Sequence, residues 1–252
     1  MKHSIIKSNI IYYILGVIFI IVIWGVGTLI VDNDYVVPSI GSTFTALFDL
    51  FSSGYTYKVL FHTLLRLFTS IGVCSILGIL LGILANASAG FKAFLKPIMA
   101  LLKTLPIAVV IVLLFVMLDK NSVYYITGVV ILPIIYESCI SGFENIDDNI
   151  LNAVKVESKD NAKIYSNVYI PLAFPYIITG FIQAFGLGLK VLVMAEYIAM
   201  PKYSIGNEII FYKETAVEMS YVYGWSIILI IFVLTIELLL NFIKKKLGLH
   251  KK

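Results

Sequence analysis

Six ionisable side chains, Arg66, Lys103, Glu137, Lys190, Glu196 and Glu237, stand within or at the ends of stretches of sequence that are otherwise apolar. A charge at membrane depth costs about 2.5–3.5 kcal/mol on insertion scales, so such groups face protein or a wet cavity. Two kinds of work are open to them: holding a charged solute in passage, or relaying an ion. Arg66, Lys103 and Glu237 lie near the ends of apolar runs and are expected to be structural, Glu237 by snorkelling or packing near Lys244. Lys190 and Glu196 point about 120° apart on a helix and do not pair within it. Lys190 either faces a central path, where it would attract an anion, or is neutralised by Glu137 or another span. Glu196 is expected to shape an outer gate or the packing of its own span. Covalent and metal chemistry find no support: Cys74 and Cys139 each sit alone in an apolar run, and His3, His62 and His250 are scattered. No G-x-x-x-x-G-K-[ST] phosphate cradle is present, and no cofactor is expected.

The elements that position these groups are apolar helices. Only 13% of the 252 residues are Asp, Glu, Lys or Arg, and 60% are hydrophobic, about half the charge of a globular chain. Uncharged or nearly uncharged runs recur at 10–31, 64–85, 98–118, 123–142, 171–200 and 222–243, each long enough for a hydrocarbon core of roughly 30 Å. The expected fold is therefore all-α and polytopic, with about six transmembrane helices. The first run, preceded by Lys2 and Lys7, exceeds a signal-peptide core and is read as a retained anchor. With the N-terminus inside, the cytoplasmic segments hold Lys2, Lys7, Lys92, Lys96, Lys155, Lys159, Lys163, Lys244, Lys245, Lys246, Lys251 and Lys252. The outer ones hold only Lys58, Lys120, Lys202 and Lys213. This asymmetry predicts cytoplasmic N- and C-termini in a plasma-membrane protein. It also accounts for the +4 net charge without a nucleic-acid partner.

Phe44, Leu47, Phe48 and Phe51 fall on one helical face before the second span, a helix that lies in the outer interface or packs on other spans. Gly180, Ala184 and Gly188, like Gly78 and Gly82, form small-residue faces suited to close packing, either inside one subunit or between two. Pro106, Pro133 and Pro175 lie in apolar runs, where each kinks or breaks a helix.

Segment 143–170 is the longest polar stretch. Asp147, Asp148 and Asn149 are fit to cap a helix start, Ile146, Ile150 and Val154 share one face, and Lys155, Lys159 and Lys163 share another. Such an amphipathic segment lies on lipid or docks into a groove of a partner. It resembles the cytoplasmic coupling loop of binding-protein-dependent ABC importer permeases, whose pattern is Glu-Ala-Ala, Gly and Pro. Here Asn152, Ala153 and Val154 stand at the triplet, Ser158 at the glycine and Pro171 at the proline. The spacing matches; only Ala153 and Pro171 keep the family residue. Across residues 36–245, "VPSIGSTFTAL", "HTLLRL", "LKPIMALLKTLPIAVV", "ILPIIYES" and "VLVMAEYI" occur in the order of the nitrate/sulfonate/taurine-type permeases.

The resemblance implies a single transmembrane permease domain over 1–252, a type I importer fold, and Asn152, Ala153, Val154, Ser158 and Pro171 as the ATPase-coupling positions. It implies as partners a cytoplasmic ABC ATPase dimer, an extracytoplasmic substrate-binding protein and a second permease copy. Translocation-path candidates are Lys190, Glu196 and Glu137. The alternative reading is a stand-alone ion-coupled secondary transporter using Arg66, Lys190, Glu137 and Glu196 as a charge relay. A membrane enzyme lacks a nucleophile or metal motif.

Overall fold

A computed structural model of the chain describes residues 2–150 and 164–246. Among them every regular element is helical: α1 (Lys2–Val31), α2 (Ile40–Ser52), α3 (Gly54–Ala87), α4 (Ala89–Thr104), α5 (Ile107–Leu118), α6 (Ser122–Glu144), α7 (Ile170–Ala199), α8 (Ile205–Ile210) and α9 (Met219–Lys246). Five described runs are long and apolar enough to cross a membrane: Ile14–Val31, Gly54–Ala87, Ile107–Glu144, Ser166–Ala199 and Met219–Lys246. Their large side chains stand open, Leu29 at 82% and Leu238 at 72% exposure. Water would not tolerate such a surface, whereas lipid does. The chain is a multi-pass membrane protein.

The expected third span, 98–118, is not one helix. Proline disfavours the helical conformation of the residue before it, and Leu105, with ψ 129°, leaves the helix there, dividing the run into α4 and α5. Nor are the third and fourth runs independent spans. Asp119, with φ 48° and ψ −135°, turns the chain after α5, and Ile107 shares a cavity wall with Val129, Val130, Pro133 and Ile134. The short α5, about 18 Å long at 1.5 Å per residue, thus folds back along α6. Pro133 and Pro175 do otherwise and remain inside α6 and α7.

The chain divides into two compact units, 1–57 with 208–229 and 58–207 with 230–252. In the first, Ser39 caps α2 by accepting a hydrogen bond from the Ser42 backbone N–H at 3.1 Å. Thr43, Ala46 and Leu50 of α2 are buried, and Leu50 packs against Gly224, where a Cβ would meet it at 3.0 Å. Phe44 and Phe48 point the other way, 61% and 72% exposed. The aromatic face of α2 is therefore not used against this unit, as an interfacial helix requires.

The second unit is built around α6. Helices approach closely at glycine, as lipid-embedded helices need. A Cβ at Gly78 or Gly82 of α3 would lie 2.9 Å from Ile135 or 2.8 Å from Cys139, so α3 runs parallel to α6. On the other side, Cβ atoms at Gly142, Gly180 and Gly188 would come within 2.7 Å of Ala173, 2.3 Å of Ser138 and 2.9 Å of Ile131. That order makes α7 antiparallel to α6. Both small-residue faces are consumed inside one chain.

Candidate functional site

The faces of α6 and α7 left free by this packing carry polar groups at helical spacing. Glu137, Ser138 and Ser141 of α6, Asn145 at its end, and Tyr176, Thr179, Gln183 and Lys190 of α7 line a cavity of about 840 Å³, joined by Lys103 of α4 and Glu237 of α9. Lys103 Nζ donates to both oxygens of Glu137, at 2.8 and 2.7 Å. Glu137 is therefore engaged by Lys103, and the expected alternative pairing with Lys190 is not formed. Lys190 is exposed on the cavity wall and, among the described residues, has neither a hydrogen bond nor an ion pair. With Lys103 and Glu137 cancelling, the wall offers one cation at Lys190 and one carboxylate at Glu237. Such a cavity can hold a small charged solute together with water.

Glu196 lies elsewhere. It is fully buried and accepts hydrogen bonds from Arg66 at 2.9 Å and Thr63 at 3.0 Å. The backbone N–H of Gly206 approaches it at 3.4 Å. Arg66 also donates to the carbonyls of Lys202 and Tyr203, at 2.8 and 3.0 Å. A charge buried in this way needs a partner and further donors, and here both come from α3 and the turn after α7. Met200, in the left-handed conformation with φ 45°, ends α7 and sends the chain back over the carboxylate. Outside, Lys58 and Lys202 stand 4.0 and 4.9 Å from the Tyr203 ring centroid. Hydrogen bonding with Lys58, then with Lys202, holds the Tyr203 phenol below its usual pKa.

At the opposite end of this unit, the polar segment leaves α6 and returns to α7. Asp147 opens the expected helix, its carboxylate accepting from the Asn149 backbone N–H at 2.8 Å. Asn152, Ala153, Val154 and Ser158 lie outside the described residues. Pro171 is the second residue of α7, and a π-helical stretch, Tyr165–Tyr169, runs directly into it. The base of the segment is packed: Phe143, Ile146, Ala173 and Ile177 are buried together with Cys139, and Phe143 meets Tyr169 edge to face at 5.7 Å. Lys92 of α4 pairs with Glu144 beside it, and Lys244 Nζ donates to Thr179 at 2.8 Å.

Sequence reading found Lys190 and Glu137 but passed over Tyr176, Gln183 and Ser141. Their signal was the seven-residue interval linking Tyr176, Gln183 and Lys190 on one face of α7. Lys103 and Glu237, expected as structural, also line the cavity.

Residues 75–248 match the family model described as binding-protein-dependent transport system inner membrane component. The chain is 28% identical over 153 residues to the nitrate import permease protein NrtB of Synechocystis sp., covering 58% of this chain and 55% of that one. It is 25% identical over 182 residues to the bicarbonate transport system permease protein CmpB of Synechococcus elongatus, covering 71% and 63%. It is 28% identical over 127 residues to the trimethylamine N-oxide transport system permease protein TmoV of Ruegeria pomeroyi, covering 50% and 19%. The chain thus spans less than two thirds of the length of each of these relatives. Among solved structures it resembles one titled as an inward facing conformation of the MetNI methionine ABC transporter, with TM-score 0.68, 15% identity, and 77% of this chain and 95% of that one covered. That likeness is one of fold, the type I importer permease fold. With the family match running through the cavity helices and the segment between them, the chain belongs to the binding-protein-dependent transport system inner membrane components.

Proposed function

We propose that residues 1–252 form one permease domain, with its family-like core over about 36–245, that passes a small anionic solute across the cell membrane. One observation carries the reading: the two helices whose polar faces line the 840 Å³ cavity are the two that flank segment 143–170. Movement of that segment is therefore movement of the cavity wall. Lys190 attracts the anion, Glu137 compensates Lys103, and Glu196 shapes the outer end. The relatives named for nitrate and bicarbonate support an anionic cargo.

The chain itself performs no chemistry on its cargo. A cytoplasmic ABC ATPase dimer grips Asn152, Ala153, Val154 and Ser158, while Pro171 fixes the height of the grip. An extracytoplasmic substrate-binding protein delivers the solute, and a second permease copy completes the path as a homodimer. The termini are cytoplasmic; Lys92, Lys96 and the Lys244–Lys246 cluster support this through the basic excess of inner loops.

Vesicles carrying the permease with its ATPase subunit and binding protein test the proposal with labelled nitrate and bicarbonate. Uptake should require ATP on the ATPase side and stop when ATP is removed. Uptake that continues on an ion gradient without ATP would return the protein to the ion-coupled carriers.

A further inference from the structure

In the first unit, a cavity of about 190 Å³ has walls that include Asp49, Tyr55, Glu208, Tyr212, Tyr221 and Trp225. Glu208 is 6% exposed. The Tyr55 hydroxyl donates to Glu208 Oε1 at 2.8 Å, and the Tyr221 hydroxyl donates to Asp49 Oδ2 at 3.1 Å. The second oxygen of each carboxylate has no partner among the described residues. No Lys, Arg or His lines this pocket among the described residues. Tyr212 and Tyr221 stack along it, centroids 4.5 Å apart and planes 6° from parallel.

An independent observation comes from Trp225. It is fully buried on the same wall, and its Nε1 has no hydrogen-bond acceptor among the described residues. A buried donor left this way costs free energy until an acceptor arrives. The pocket therefore asks for two things side by side: a cation with N–H donors for the carboxylates, and an oxygen for the indole. The aromatic walls favour an organic cation over a hydrated metal, and two carboxylates fall short of the six to eight oxygens a calcium ion takes. The volume lies below the roughly 300–1,000 Å³ of drug-sized sites and suits a head group.

We propose that this pocket binds the protonated head of an amino alcohol, its ammonium on Asp49 and Glu208 and its oxygen on Trp225 Nε1. Two sources offer that chemistry: free ethanolamine, and the head group of phosphatidylethanolamine. The lipid has a short approach, because the exposed Phe44 and Phe48 lie on the same helix as Asp49. Tyr55 bonds Glu208 directly, Asp49, Tyr212 and Tyr221 face it across the pocket, and Glu218 bears on Tyr212 and Tyr221. Burial raises the Glu208 carboxyl, and the Tyr55 hydrogen bond pulls it back. Burial, Glu208 and Glu218 together raise Tyr212. Binding therefore weakens as acid neutralises Glu208.

The test uses the full chain in phosphatidylcholine nanodiscs, with Trp24→Phe leaving Trp225 as the sole tryptophan. Ethanolamine hydrochloride is titrated against sodium chloride at equal ionic strength while Trp225 emission is read, with calorimetry on the unmodified chain as the second measurement. A saturable change with ethanolamine alone is expected, weakened at least roughly tenfold by Glu208→Gln or Asp49→Asn. Nanodiscs of phosphatidylethanolamine separate the sources: a raised midpoint for free ethanolamine assigns the site to the lipid, and an unchanged one assigns it to the free amine. No saturable response by either method, an equal response to sodium chloride, or indifference to both substitutions overturns the proposal.

Discussion

Arg66 and Glu196 lie 130 residues apart in the chain, and their guanidinium and carboxylate meet at 2.9 Å with the carboxylate wholly buried. Removing one partner leaves the other as an uncompensated charge in a low-dielectric site, at a cost of about 3–5 kcal/mol. Arg66→Ala is expected to lower the thermal midpoint of the detergent-solubilised protein by that loss. Thr63→Val, which removes a hydroxyl donor, should cost less, about 1–3 kcal/mol. A midpoint for Arg66→Ala equal to that of the unmodified protein would show the pair to be idle.

Gly206 is the second test of the same turn. A Cβ there would stand 2.2 Å from the Tyr197 backbone nitrogen and 2.4 Å from the Glu196 carbonyl carbon. Backbone cannot retreat as a side-chain tip can, so Gly206→Ala should abolish stable expression. Gly27→Ala, with no atom within 4 Å, should be neutral or stabilising by up to about 1 kcal/mol. Size-exclusion profiles of the two variants compare them directly.

Neutralising Lys190 separates passage from assembly. Lys190→Gln should raise the apparent KM for nitrate roughly tenfold, the scale of one lost charge-assisted hydrogen bond, while the ATPase subunit still co-purifies. Lys190→Arg should restore most of the uptake. Loss of the ATPase subunit in parallel with uptake would make Lys190 a packing residue.

Ala153→Glu addresses the grip from the cytoplasmic side. It should abolish ATP-driven uptake while membrane insertion and cavity residues are untouched, since Ala153 is proposed to enter a groove of the ATPase. Normal uptake by this variant would remove the segment from the coupling role.

The raised Glu208 carboxyl sets a pH dependence. A folded-state pKa above the ordinary glutamate value of 4.5 means the folded chain binds the proton more tightly than the unfolded one. Its contribution is fully present below pH 4.5 and is lost as pH rises through the folded value. Hydrogen exchange in residues 205–218 should thus speed up with pH beyond its intrinsic rise, and Glu208→Gln should flatten that excess.

The apolar runs made the membrane fold legible, because hydropathy depends only on local composition. The helix start at Asp147 was legible for the same reason, since a cap acts within one turn; the helical run before Pro171 was not, because a π-turn lets the helix pass a proline. Pro106 and Pro133 were not distinguishable, since each only withdraws a donor, and whether the helix continues depends on what packs beside it. The pairing of Lys103 with Glu137, against Lys190, was likewise hidden, because it goes with the 98–118 run breaking at Leu105 and α5 folding back. Arg66 and Glu196 were both seen, but nothing in the sequence joins residues so distant.

The glycine seams on the two sides of α6 bear on mechanics. Side chains of α6, Ile131, Ile135, Ser138 and Cys139, seat directly on glycines of α3 and α7, which leaves a thin layer to absorb a displacement, so the three helices are expected to respond to a push as one stiff beam. A stroke of the kind proposed for segment 143–170 would then reach the far tip little diminished, and the yielding joints are expected outside this trio.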